Sequence, residues 1–433
     1  MDRWVEHYYE LYATCNSVTE GTLNNCPHLP ILTDLDKEPT TAELGRAIDA
    51  LKCNKAPGED GIPPEVIKRC KITLLKPLHD LLVRCWREGQ VPQSMRDAKI
   101  ITLYKNKDDC SDCTIYRGIS LLSIVGKVFA RVLLPRLQAL GDLVYPESQC
   151  GFRPGRSTID MIFSIRQLQE KCREQRQPLC IAFVDLTKAF DLVSRSGLFA
   201  LLKRIGCPPT LLSLFSSYHT NMHGSISYNG GSSARFEICS GVKQGCVLAP
   251  TLFGIFFSLL LHHGFHSTNE GVLLHTRHDG KLYNIARLRA KTKVKQVLIR
   301  EMLFADDAAF VSHCEEGLQA LMDRFAGACQ EFGLSISIKK TDIMVQGTPS
   351  EPSIKISNQP LNIVGSFNYL GSTVTSNHSL DMELSARIGK AAMTFSCLTK
   401  RVWLNNKLRM KTKLKVHSCT AAKHGPPMLR NAG

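Results

Sequence analysis

This chain lacks the roughly 20 uninterrupted apolar residues that a membrane-spanning helix needs anywhere in its 433 residues. Its longest apolar stretch, Val247 to Leu261, is broken by Pro250, Thr251 and Ser258 and reads as a buried helix. A signal core is missing as well, because Asp2, Arg3, Glu6 and Glu10 interrupt the aromatic N-terminus, which argues against secretion. There is no disulfide framework: the 17 cysteines are an odd number, scattered singly, and suit free thiols in a reducing compartment. Cys110 and Cys113 form half a zinc site, with no second Cys or His pair at ligand spacing. No internal repeat marks a solenoid. Helical and strand patterns alternate instead, which predicts an α+β fold in two or three subdomains.

Acidic residues are absent from two long segments. Residues 281–300 carry seven cations, Lys281, Arg287, Arg289, Lys291, Lys293, Lys295 and Arg300, and residues 387–415 carry nine, among them Arg387, Lys390, Lys400 and Arg401. Setting those sixteen aside leaves 38 cations against 39 anions, so the two stripes account for the whole net charge of +15. A neutral body with basic stripes suits a polyanion-binding protein, since neutralised phosphates release counterions. Solvated helix faces are the plainer alternative. Trp403, inside the second stripe, either stacks on a base or packs a helix core, and the second is the commoner use.

Two adjacent acids stand out from the apolar run Met302-Leu303-Phe304-Ala305-Asp306-Asp307-Ala308-Ala309-Phe310-Val311. Burying carboxylates among such residues is costly unless cations or a shared proton compensate. The pattern predicts strand, tight turn, strand, with Asp306 and Asp307 at the apex of a hairpin. A second apolar run, Leu179 to Val184, reads as a buried strand and ends in Asp185. The plainer alternative for Asp185 is the cap of a helix opening at Leu186. Three carboxylates brought together would supply oxygen ligands for two hard divalent cations, Mg²⁺ with Mn²⁺ as the alternative, the arrangement that catalyses in-line phosphoryl transfer.

Further motifs follow in a set order. Asn54-Lys55-Ala56-Pro57-Gly58-Glu59-Asp60-Gly61-Ile62 comes first, then Tyr116-Arg117-Gly118-Ile119-Ser120-Leu121 and Gln149-Cys150-Gly151-Phe152-Arg153-Pro154-Gly155-Arg156-Ser157. Ala182 to Asp191, Gly241-Val242-Lys243-Gln244-Gly245 through Pro250, Phe304 to Asp307, Phe332-Gly333-Leu334 through Thr341, and Phe367-Asn368-Tyr369-Leu370-Gly371 complete the series. Together they resemble the boxes of reverse transcriptases in the non-LTR retrotransposon branch, over residues from about 45 to 415.

That resemblance implies a right-hand polymerase. Its expected parts are an N-terminal extension over 1–45, fingers with part of the palm over 46–178, a palm over 179–375 and a partial thumb with a divergent tail over 376–433. By resemblance Asp185, Asp306 and Asp307 hold the metal ions, and Lys340 or its neighbour Lys339 sits by the departing pyrophosphate. Lys105 and Arg117 hold the triphosphate, where a planar guanidinium can grip two oxygens. Phe190 gates the sugar and Gln244 packs against the nucleotide. Arg153, Arg156, Lys400 and Arg401 are the candidate nucleic-acid contacts. RNA template, DNA primer and deoxynucleotides are the implied partners, with no membrane, and the class implies the nucleus or cytoplasm. An impaired retrotransposon remnant that only binds nucleic acid is the competing expectation, drawn from the fading match after Val416 and the lack of an endonuclease segment.

Around these motifs, Thr40 and Glu43 predict a capping box ahead of a helix with Leu44, Ala47, Ile48 and Leu51 on one face. Ala98 to Lys105 and Tyr116 to Leu121 predict a hairpin. Leu198, Leu201, Leu202 and Ile205 predict a helix closed by Gly206, and Leu318, Leu321, Met322 and Phe325 one ended by Gly333. Leu334, Ile336 and Ile338 alternate like a half-buried strand.

Overall fold

The computed structural model describes residues 2–14, 16–105, 111–228, 230–277, 294–348, 350 and 352–424. The chain divides into two compact units, one of Met1–Phe152, Leu186–Thr268 and Arg324–Ile336, the other of Arg153–Asp185, Asn269–Asp323 and Ser337–Gly433. Both mix helices and sheet, so the fold is α+β.

In the first unit the expected hairpin pairs Ala98–Tyr104 with Tyr116–Leu121, in antiparallel register from Lys99 opposite Leu121 to Tyr104 opposite Tyr116. The strand His223–Tyr228 lies parallel to Ala98–Tyr104 and carries two short strands, Gly231–Ser232 and Phe236–Glu237. Thr40 and Glu43 exchange both bonds of the capping box that starts the helix Thr41–Asp49. The long apolar run forms the helix Ala249–Phe265, with Pro250 in its first turn, where a missing amide costs nothing. Phe256 meets the edge of Phe332 at 5.3 Å and Phe257 that of Phe325 at 6.2 Å, so this helix is the core of the unit.

Leu186 to Phe190 opens no helix. Lys188 takes a positive φ of 46°, and its carbonyl accepts from the amides of both Asp191 and Leu192, which closes a turn. Helix begins only at Arg195, where the Ser194 hydroxyl accepts from the Gly197 amide, and runs to Arg204 before Gly206 at φ 88°. Gly58 in the first motif lies against the chain of Leu122 and Ser123: a Cβ there would stand 2.6 Å from the Ser123 amide nitrogen.

The second unit is built on a five-stranded sheet in the order Asn362–Ile363, Asp342–Gln346, Leu179–Val184, Asp307–Ser312, Glu301–Phe304. All six residues of Leu179–Val184 are buried, as expected for a central strand. The helix Thr158–Glu174 belongs to this unit and starts at Ser157, whose amide and hydroxyl both donate to the Asp160 carboxylate. The alternation at Leu334, Ile336 and Ile338 does not make a strand. Ile336 forms one isolated bridge to Leu186 in the first unit, and Ile338–Lys340 winds into a 3₁₀ turn in the second.

A hairpin of Ser366–Tyr369 and Ser372–Thr375 follows, then the helices Asp381–Cys397 and Met410–His424. No helix among the described residues is long and apolar enough to cross a membrane. The 15 cysteines among them are free thiols, while Cys110 and the basic residues between 281 and 293 lie outside the described residues.

Candidate active site

The expected hairpin forms, with a two-residue turn of Ala305 and Asp306 between Glu301–Phe304 and Asp307–Ser312, so that Asp306 lies at the apex and Asp307 opens the second strand, paired to Phe304. Ala305 takes φ 60° at the first turn position, the positive value such a tight hairpin requires. The strand Asp307–Ser312 runs antiparallel to Leu179–Val184 with Ala308 opposite Val184. Asp307 and Asp185 are the next residues beyond that pair on the two chains. Three acids at neighbouring strand ends therefore result from backbone pairing, with no need for a long-range side-chain contact.

Electrostatics records their proximity. Asp307 is solvent-exposed as a residue, yet partial desolvation of its carboxyl, followed by the charges of Asp306 and then Asp185, pushes that carboxyl up to about 6. Asp185 turns its Oδ2 to the Lys340 ammonium at 2.8 Å. Its carbonyl also accepts from the Ser337 amide at 2.8 Å, which places the Ile338–Lys340 turn beside it. Lys340 thus reaches Asp185. Lys339 makes no ion pair among those seen in the described residues.

Among the described residues no group of three or more His, Cys, Asp or Glu side chains is arranged to hold a metal ion. Asp185 is engaged with Lys340. The donor set itself fits a hard cation, since it is all carboxylate oxygen and its mutual repulsion is what a dication would remove.

The other candidates fall in the first unit. Lys105 and Arg117 are exposed on the hairpin, with Leu103 opposite Arg117 and the Lys105 Nζ donating to the Thr114 carbonyl at 3.3 Å. Phe190 is half-buried, stacked on Phe253 at 4.5 Å and edge-on to Phe152 at 6.5 Å. Gln244 is half-buried in a loop, and its carbonyl accepts from the Ser120 amide, three residues beyond Arg117, at 2.9 Å.

Two residues without an expected role emerge beside them. Asp191 feels Lys188, Lys105 and Arg117, yet burial outweighs these cations and raises its carboxyl to about 6. Lys243 is 5 % exposed, immediately before Gln244. Each is a charged residue inside a quoted motif, which was the one signal available.

Comparison with known proteins decides the family. Residues 104–374 match the model described as "Reverse transcriptase (RNA-dependent DNA polymerase)". The chain belongs to the reverse transcriptase family. It is 26% identical over 394 residues to the RNA-directed DNA polymerase from mobile element jockey of Drosophila melanogaster, covering 88% of this chain and 40% of that one. It is 23% identical over 385 residues to the Retrovirus-related Pol polyprotein from type-1 retrotransposable element R2 of Bradysia coprophila, covering 86% and 41%. A 29% match over 233 residues links it to the Transposon TX1 uncharacterized 149 kDa protein of Xenopus laevis, covering 52% of this chain and 18% of that one. These relatives place this reverse transcriptase with the non-LTR retrotransposon members, and it spans about two fifths of the length of jockey and R2.

In this reverse transcriptase, Arg153 and Arg156 belong to the turn ahead of the Thr158–Glu174 helix, Arg153 half-buried and Arg156 exposed. Lys400 and Arg401 are exposed on the π-helical turn Thr399–Trp403. Trp403 packs rather than projects: it stacks on Phe395 at 4.4 Å and donates its indole N–H to the Phe395 carbonyl at 2.8 Å. Arg387 is also withdrawn from the basic stripe, held in a largely buried ion pair with Glu383. Arg300, at the end of the other stripe, pairs with Glu301 at 2.7 Å.

Proposed function

We propose that this chain is the RNA-directed DNA polymerase of a non-LTR retrotransposon, extending a primer 3′-hydroxyl with deoxynucleotides on an RNA template. The observation that carries it is the pairing of Ala308 with Val184, which makes Asp307 and Asp185 the next residues of the two chains, with Asp306 on the adjoining turn and the Asp307 carboxyl raised by desolvation and then by the charges of Asp306 and Asp185. Asp185, Asp306 and Asp307 would hold two divalent cations, magnesium or manganese. Such ions, when bound, stabilise the attacking and leaving oxygens of a phosphoryl transfer.

The chain's own residues divide the remaining work. Lys340, beside Asp185, supplies a positive charge for the departing pyrophosphate. Arg117 and Lys105 bind the triphosphate, with the carboxylate of Asp191 nearby offsetting part of their charge. Phe190, braced by Phe253, excludes a ribose 2′-hydroxyl by shape. Gln244 contacts the nucleotide from its loop. By family resemblance the elements form fingers over 46–178, a palm over 179–375 and a partial thumb over 376–433, with Arg153, Arg156, Lys400 and Arg401 tracking phosphates.

The test is primer extension on poly(rA)/oligo(dT) with Mg²⁺, comparing the chain with Asp306→Asn. Extension that falls at least a hundredfold while primer-template affinity stays within about threefold supports the assignment. Undiminished extension by Asp306→Asn removes these carboxylates from catalysis. Binding without any extension by the unmodified chain decides for a nucleic-acid-binding remnant.

A further inference from the structure

We propose that Lys243 and Arg195 are positioning residues, two enclosed cations that hold the Ile238–Gly245 loop in the shape that receives a nucleotide, with the N-terminal helix as a third anchor. This rests on the polymerase assignment for what the loop receives, and on hydrogen bonding alone for how the loop is held.

The partners of these cations are unusual. Lys243 Nζ donates to the Arg96 carbonyl at 2.6 Å and the Tyr218 carbonyl at 2.9 Å. Arg195 spends its guanidinium on four carbonyls: Ile238 at 2.7 Å, Ser240 at 2.9 Å, Gly241 at 2.9 Å and His219 at 2.5 Å. Among the described residues neither side chain forms an ion pair. A desolvated donor without an acid partner is held only where enough carbonyls accept from it, so the six carbonyls and the two side chains specify one another. Three of the six carbonyls belong to the loop itself. The other three fix it to the ends of the helices Gln93–Arg96 and Pro209–Ser217.

The third anchor is Tyr12, the last residue of the helix Asp2–Tyr12. Its carbonyl accepts from the amides of Cys239 and Ser240 at 3.2 and 3.1 Å and from the Ser240 hydroxyl at 3.2 Å. From these supports the loop reaches the candidate nucleotide contacts. The Val242 amide donates to the Phe190 carbonyl at 2.8 Å, and the Gln244 carbonyl accepts from Ser120 on the strand of Arg117. The close approach needs glycine at both ends. A Cβ on Gly241 (φ 76°) would stand 2.5 Å from the Asp191 carbonyl oxygen, and one on Gly245 (φ 106°) 2.6 Å from that of Ser120. One scaffold thus ties the sugar gate, the glutamine and the triphosphate strand together.

Two readouts on Lys243→Met, Lys243→Arg and Arg195→Lys test this. The first is steady-state extension on poly(rA)/oligo(dT) with varied dTTP, and the second is amide hydrogen exchange of the same proteins without nucleotide. Lys243→Met is expected to raise the KM for dTTP about five- to tenfold, with kcat and primer-template affinity within about twofold. Exchange should accelerate at Val242 and at Ser120, and Lys243→Arg, which keeps the donors, should recover most of both effects. A folded Lys243→Met with unmodified KM and exchange overturns the proposal. Where thermal melting shows that Lys243→Met does not fold, Arg195→Lys, which can reach fewer of its four carbonyls, must show the same two shifts or the proposal fails. A wild-type chain that extends no primer defeats the polymerase assignment alone, and the exchange measurement still decides whether the cations hold the loop.

Discussion

At Asp191 one side chain balances two opposed effects. Lys188, Lys105 and Arg117 favour its ionised form, and burial opposes them and prevails, lifting the carboxyl to about 6. Because the folded value exceeds the unfolded one near 4, the folded state binds more protons between those values, and stability falls as pH rises through that window. Asp191→Asn should therefore raise the melting temperature at pH 8 and leave it nearly unchanged at pH 4, a contrast that thermal denaturation at the two pH values checks. An offset equal at both would mean the carboxyl is not the cause. Residue identity also separates two lysines that look alike in the sequence. Lys340 lies 2.8 Å from Asp185, and what selects it over Lys339 is the 3₁₀ turn, a feature that alternating apolar residues disguised as a strand.

Secondary-structure elements show how the strand leading to Asp185 is braced. Phe183, two residues before Asp185, stacks on Phe367 at 4.1 Å, so the hairpin Ser366–Thr375 leans directly on that strand. The hairpin is held in turn by Glu383 of the following helix, which accepts from the Thr373 amide at 2.6 Å and pairs with Arg387. Arg166 adds bonds to the Ser372 hydroxyl and the Thr373 carbonyl, both at 3.2 Å, and Gln169 reaches the Thr375 carbonyl at 2.9 Å. Removing one partner of so enclosed an ion pair leaves an uncompensated charge. Glu383→Ala should cost about 3 kcal/mol of unfolding free energy, and the double change Glu383→Leu with Arg387→Met should recover most of it. Urea denaturation of the three proteins checks both values; a single-variant loss under about 1 kcal/mol would show the pair to be solvent-screened.

On the scale of the whole molecule the charge of +15 is the leading feature, and tertiary structure prunes it. Arg387 is spent on Glu383, Arg300 on Glu301, and Lys413 donates to the Trp403 carbonyl at 2.8 Å, whereas Lys400 and Arg401 stay exposed. Replacing Lys400 and Arg401 with Ala should weaken binding to any primer-template sequence alike and flatten the slope of log affinity against log salt by roughly 1 to 2, if both neutralise phosphates. Fluorescence anisotropy across a salt series measures this, and an unaltered slope would remove the pair from the nucleic-acid path.

Amino-acid order alone determined the family, the aspartate hairpin, the buried strand before Asp185, the capping box and the apolar core helix. The family rests on the order of eight motifs along the chain, and each of the others is a local pattern of side-chain period or turn chemistry. Only the tertiary structure decided that Lys340 rather than Lys339 meets Asp185, that Arg387 is withdrawn from the basic stripe, and that Lys243 and Arg195 face carbonyls instead of acids. Those outcomes depend on which distant backbone groups converge on a charge. That convergence is a property of packing, and no local pattern of residues encodes it.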